Sequence, residues 1–138
     1  MRTLLKNAEV VNVFTGETVP ANVLIEGERI LGVGDYYTDA DADLVRDESG
    51  CFICPGFIDG HVHIESSMLL PAEFARVSVP HGTTCVVTDP HEIANVCGGA
   101  GIDFMLAASE DLPLTVYVML PSCVPATAFD EAGAILEA

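Results

Sequence analysis

Pro55-Gly56-Phe57-Ile58-Asp59-Gly60-His61-Val62-His63 runs an apolar strand straight into two histidines set two residues apart. In a strand, alternate side chains point to the same face, so the imidazoles of His61 and His63 converge on one point. Two neutral imidazoles are good ligands for zinc, iron or manganese, and a stable site needs further donors beside them. The spacing and the strand before it make this pair a candidate metal site.

Downstream, the same plan returns. Apolar runs that read as strands occur at Phe52-Ile53 to Phe57-Ile58, at Cys85-Val86-Val87 and over residues 114–120. Each run is nearly continuous in apolar residues, which suits a parallel strand covered on both faces. Between them lie two helical stretches. Pro71-Ala72-Glu73-Phe74 opens one with proline in its first turn, with Phe74 and Val77 on one face. The other carries Ile102, Met105 and Leu106 at helical spacing, and residues 130–138 read as the start of a third. Gly82 and Asp111-Leu112-Pro113 supply stop signals. Strand, helix, strand at this spacing is the βαβ unit.

The strands lead into Asp59-Gly60-His61-Val62-His63, Asp89-Pro90-His91-Glu92 and Pro121-Ser122-Cys123. Candidate chemistry therefore gathers at the carboxyl ends of parallel strands, as in a (β/α)₈ barrel or an open doubly wound sheet. His91 and Glu92 have two readings: ligands, substrate contacts or proton carriers on one side, a surface turn capping a helix on the other. His81, beside Gly82 at a helix end, reads as structural. Glu65-Ser66-Ser67 reads as a cap for the next helix, with a bend over the site as the alternative.

Upstream, the chain changes character. Leu4-Leu5 and Val10-Val11 read as strand, Thr15-Gly16-Glu17 as a turn, and Val23, Ile25 and Ile30 flank a hairpin tip at Glu26-Gly27-Glu28. Residues 35–48 read as an acidic, solvated connection.

Composition narrows the partners. Five basic residues against 21 acidic ones give a net charge of −16, which disfavours nucleic acid and an anionic membrane surface. No apolar run approaches the roughly 20 residues of a spanning helix, and the polar N-terminus does not read as a signal peptide. The expected compartment is the cytoplasm. The five cysteines, odd in number, read as buried thiols rather than a disulfide framework, and Cys51-x-x-Cys54 lacks a second CxxC to complete a zinc clip. His63-Ile64-Glu65 fits the H-x-E of cytidine-type zinc deaminases, but the P-C-x-x-C expected downstream is missing.

Residues 55–63 resemble the first barrel strand of the amidohydrolase superfamily. Asn7-Ala8-Glu9-Val10-Val11-Asn12 and Val23-Leu24-Ile25-Glu26-Gly27-Glu28-Arg29-Ile30 resemble strands of its N-terminal β-sandwich. Three further stretches are similar to the adenine deaminases of bacteria and archaea. They are His63-Ile64-Glu65-Ser66-Ser67-Met68, then His81-Gly82-Thr83-Thr84 with Asp89-Pro90-His91-Glu92-Ile93-Ala94-Asn95-Val96, and Val116-Tyr117-Val118-Met119-Leu120-Pro121-Ser122-Cys123-Val124-Pro125-Ala126.

The resemblance implies an α/β chain, with part of a small β-sandwich over residues 1–50. The first three βα units of a (β/α)₈ metal-dependent hydrolase barrel then occupy residues 51–138. It implies hydrolysis of adenine to hypoxanthine and ammonia in purine salvage, with a binuclear manganese or iron centre (zinc being possible) and a homo-oligomeric complete enzyme. On that reading His61 and His63 are metal ligands, His91 and Glu92 catalytic candidates, and Asp59 orients an imidazole. Three units at about 28 residues each point to roughly 220–230 for eight, against about 250 typical of the barrel. The chain is accordingly expected to hold only part of the site and to be inactive alone. The rival expectations are a non-catalytic metal-binding or assembly fragment, and another cyclic amidohydrolase such as a dihydroorotase.

Overall fold

A computed structural model describes residues 1–127, 129 and 132–136. The chain forms two compact units, Met1–Pro55 and Gly56–Ala138. Among the described residues no helix is long and apolar enough to cross a membrane.

The first unit is a five-stranded sheet built on β1 (Arg2–Asn12). β2 (Glu17–Glu26) pairs antiparallel with β1, and β3 (Arg29–Gly34) with β2. The turn into β2 closes at Gly16, and the β2–β3 hairpin tip is Gly27, both with positive φ. Leu4 faces Leu24 across the ladder, and with Ala8, Ala21 and Val23 they form the unit's buried apolar set. A bulge between Leu5 and Ala8 holds Asn7 at φ 64°. Asparagine is one of the few residues with a Cβ that visit this left-handed state. Here Asn7 Nδ2 donates to Asp47 Oδ1 at 3.0 Å.

Two expectations change in this unit. Residues 35–48 are not all connection: β4 (Leu44–Asp47) runs parallel to β1. Its apolar content is only Leu44-Val45 amid acids, so main-chain pairing rather than side-chain pattern makes it a strand. Phe52–Ile53, expected at the head of the first barrel strand, is instead β5, parallel to β1 at Glu9 and Val10. The following Pro55 has no N–H to continue a ladder.

The second unit holds three parallel strands in the order β6 (Phe57–Val62), β7 (Thr83–Thr88) and β8 (Thr115–Val118). α1 (Pro71–Ser78) follows β6; α2 (His91–Cys97) and α3 (Gly99–Ala108) follow β7. The chain has the α/β character read from its sequence. Ile64, Ala75, Val86, Met105 and Leu114 form the core, with Val62, Phe74, Val79, Ile93, Leu112 and Val116 packed around it. A Cβ at Gly56 would run into the side chain of Thr84, so β6 begins where only glycine lets the two strands meet.

Several local expectations are corrected. β6 is largely exposed, with Phe57 59% and Ile58 69% accessible, because it is an edge strand paired only with β7 among the described residues. In α1, Phe74 packs on the core whereas Val77 is exposed. The segment after β7 holds two helices, parted at Gly98 (φ 64°, ψ −148°), a backbone state that residues with a Cβ avoid. Of Ile102, Met105 and Leu106, Met105 is buried and Leu106 is half exposed. Of the third expected helix, residues 130, 131, 137 and 138 lie outside the described residues, and residues 132–136 form none. The cysteines are not buried thiols: all five are free, and Cys51, Cys54, Cys97 and Cys123 are exposed. Apolar neighbours in sequence place Cys51 and Cys54 beside a two-residue strand, too short to cover them.

Candidate metal centre

Two strand ends build the site. Val62 pairs with Thr88, and Asp89 N–H donates to the Val62 carbonyl at 2.9 Å, which sets residue 89 beside residue 63. At the end of β6 the rings of His61 and His63 approach edge to face, with Nε2 to Nε2 at 3.1 Å. Nitrogens bound at about 2.0–2.1 Å and 3.1 Å apart subtend about 100° at a metal. That value lies between the octahedral and tetrahedral angles, so the pair fits a shared cation.

The tautomers follow from the partners. His63 Nδ1 lies 2.7 Å from the Asp89 carbonyl oxygen. A carbonyl only accepts, so Nδ1 carries the hydrogen and, in the neutral ring, Nε2 keeps the lone pair that a metal needs. His91 Nδ1 is 3.1 Å from Asp89 Oδ2, which accepts in the same way and, in the neutral ring, leaves the lone pair on His91 Nε2. The His91 ring stands edge-on to His63, centroids 4.6 Å apart.

Glu92 occupies the first turn of α2. Ser66 Oγ donates to Glu92 Oε1 at 2.5 Å, while Oε2 is buried without a hydrogen-bond partner. Glu92 faces the Nδ1 side of His63, Oε2 at 3.9 Å, where the ring already holds its hydrogen towards Asp89. Two trios bring their donor atoms within 4.8 Å: His61, His63 and Asp89, and His63, His91 and Glu92. An open cleft of about 450 Å³ lies alongside, bounded by Glu65, Ser66, Met68, Glu92, Ile93 and Cys97 among others.

The sequence candidates thus divide. His61, His63, His91 and Glu92 are brought together. Asp59 accepts from the backbone N–H of His61 at 3.1 Å, a contact with the main chain rather than an imidazole. His81 ends the 3-10 turn Val79–His81 before Gly82. Glu65-Ser66-Ser67 does not cap α1, whose N-cap is Leu70; it forms a 3-10 turn that bends over the site. There Glu65 Oε1 accepts from the Ile93 N–H at 3.4 Å, and Ser66 holds Glu92. Ser66 and Asp89 were not among the sequence candidates. The Asp-Pro turn signal was the available pointer to Asp89, and the alternative reading of Glu65-Ser66-Ser67 as a bend over the site was the pointer to Ser66.

Residues 52–138 match the model of the amidohydrolase family. The chain belongs to the amidohydrolase family. Among similar proteins, adenine deaminase 2 of Carboxydothermus hydrogenoformans is 57% identical over 135 residues, covering 98% of this chain and 23% of that protein. The adenine deaminase of Geobacillus kaustophilus is 53% identical over the same shares. This amidohydrolase chain therefore spans about a quarter of the length of the curated relatives it matches. Among solved structures, a D-aminoacylase described for its binuclear metal centre superposes with TM-score 0.64 at 24% identity, over 86% of this chain and 29% of that one. That likeness concerns the fold.

Proposed function

We propose that this amidohydrolase chain carries part of the active site of an adenine deaminase, which hydrolyses adenine to hypoxanthine and ammonia. The observation that carries the reading is the 57% identity to a named adenine deaminase along almost all of the chain. The site's chemistry supports it. His61 and His63 would hold a divalent cation through their Nε2 lone pairs, manganese or iron on the family resemblance, with zinc also suited to imidazole. When bound, such a cation supplies Lewis acidity and an acidified water.

The chain's own residues do the rest of the work assigned here. Net hydrolysis forms a C6–O bond, breaks the bond from C6 to the exocyclic nitrogen, and divides the two protons of water between that nitrogen, which leaves as ammonia, and ring N1. Glu92 is the proton carrier in this proposal. Ser66 pins Oε1 and leaves the buried, unpartnered Oε2 free to take and return a proton. His91, held by Asp89 through Nδ1, offers Nε2 as an acceptor for a substrate N–H. Asp59 steadies the strand backbone at His61. The cleft beside Glu92 is within the roughly 300–1,000 Å³ of small-molecule sites, and its walls at Met68, Ile93 and Val96 suit the faces of a purine. The proposal includes cytoplasmic purine salvage as the setting and a homo-oligomer as the assembled enzyme.

The test is a hybrid in which residues 1–138 replace the matching stretch of the Carboxydothermus relative. It should release ammonia and hypoxanthine from adenine in equal amounts. A folded, metal-loaded hybrid that leaves adenine intact overturns the reading, and one that instead opens dihydroorotate points to a cyclic-amide hydrolase.

A further inference from the structure

We infer that Asp89 is a third protein ligand of the metal held by His61 and His63, and that the same carboxylate positions His91. The inference rests on the proposed metal site and extends it to a residue that no sequence motif marked as a donor. Asp89 Oδ1 is buried and makes no hydrogen bond among the described residues. A buried carboxylate oxygen without a partner is costly unless a cation or donor meets it. The donor atoms of His61, His63 and Asp89 already lie within 4.8 Å of one another. Two imidazoles and one carboxylate are a donor set that manganese, iron and zinc all accept.

The backbone explains why residue 89 can do this. Its N–H is tied to the Val62 carbonyl at 2.9 Å and its carbonyl to His63 Nδ1 at 2.7 Å, so both strand ends move as one piece. The carboxylate is thereby held where one of its oxygens comes within 4.8 Å of a ring nitrogen of each of the two histidines. Its other oxygen, Oδ2, accepts the Nδ1 hydrogen of His91 at 3.1 Å. One side chain thus joins the metal to the imidazole that contacts substrate in the proposed function. The main-chain bond to His63 survives any substitution at 89, so the side-chain role separates cleanly from the backbone role.

The experiment uses the 138-residue chain and cobalt(II) as probe, with affinity read by chelator competition and coordination by the visible absorption spectrum. Nitrogen-15 spectra of the metal-free chain report the His91 tautomer. Asp89→Asn should weaken cobalt binding by at least the roughly 10- to 100-fold that follows loss of a group merely supporting a ligand, and change the spectrum. It should also turn His91 from a single Nδ1–H tautomer into a mixture. Asp89→Ser, which keeps a turn-forming residue before Pro90, is the second variant and should lose binding at least as far. His61→Asn is the control for the site itself. If His61→Asn weakens binding while both Asp89 variants bind within twofold of the parent with His91 unchanged, the Asp89 role is overturned and the metal site stands. If His61→Asn also leaves binding unchanged, the metal site itself is wrong.

Discussion

Ile64 follows His63 directly and is fully buried in the core formed with Ala75, Val86, Met105 and Leu114. Replacing it with alanine removes three carbons, worth about 0.8 kcal/mol each on burial, or roughly 2.4 kcal/mol. The cavity left beneath the strand end adds to this, and large-to-small core changes of this type cost about 2–5 kcal/mol. We expect about 2.5–4 kcal/mol for Ile64→Ala and about 1 kcal/mol for Ile64→Val. Val77→Ala is the contrast. Val77 is 49% exposed on α1, and its truncation should change stability by no more than about 0.5 kcal/mol. Because the chain has two units, the assay should be local: amide hydrogen exchange of the β7 peptide containing Val86 and Val87. A loss of about 2.5–4 kcal/mol in opening free energy speeds exchange by roughly 10²- to 10³-fold. Equal exchange rates in Ile64→Ala and Val77→Ala would refute the packing described for this core.

Three further outcomes are expected. In the hybrid enzyme, Glu92→Gln should lower kcat by about 10²- to 10⁴-fold while metal content is kept. Ser66→Ala, which frees Oε1 but leaves the carboxylate, should cost less; near-normal turnover in Glu92→Gln would remove Glu92 as the proton carrier. In the N-terminal sheet, hydrogen bonds from the Ser49 side chain first, then from Asn7, hold the Asp47 carboxyl below its ordinary value. A folded pKa below the unfolded value of about 3.9 means that the stabilisation is fully present above that pH and is lost as pH falls through the folded pKa. Urea midpoints of the parent and Asp47→Asn should accordingly differ at pH 6 and converge towards pH 2, and a gap unchanged by pH would contradict the assignment. Self-repulsion at a net charge of −16 should be screened by salt. Melting temperature is therefore expected to rise from low to molar sodium chloride, not to stay flat or fall.

The readable parts of this chain were those where pattern and physics coincide. His61 and His63 stand out because strand alternation alone puts both rings on one face, and Pro71 announces α1 because proline suits a first helical turn. The hairpin at Gly27 is equally plain from its flanking apolar pairs. What was hidden depended on long-range geometry. β4 is masked by its acidic surroundings, since a strand made by main-chain pairing with β1 needs little apolar pattern. Phe52-Ile53 and Phe57-Ile58 look like one run until the sheet separates them at Pro55-Gly56. Ser66 acts on Glu92, 26 positions away, and Asp89 acts on His63 across the strands. Only the β6–β7 register brings those groups together.

The most direct measurement of the central claim is metal content and adenine turnover on the same samples of the hybrid enzyme. Samples would be stripped with chelator, reloaded with graded manganese, and compared with His61→Asn, His63→Asn and His81→Asn. Turnover should rise in step with bound metal, both should collapse together in the His61 and His63 variants, and His81→Asn should retain both. Full metal and full adenine turnover in either His61→Asn or His63→Asn would contradict the account.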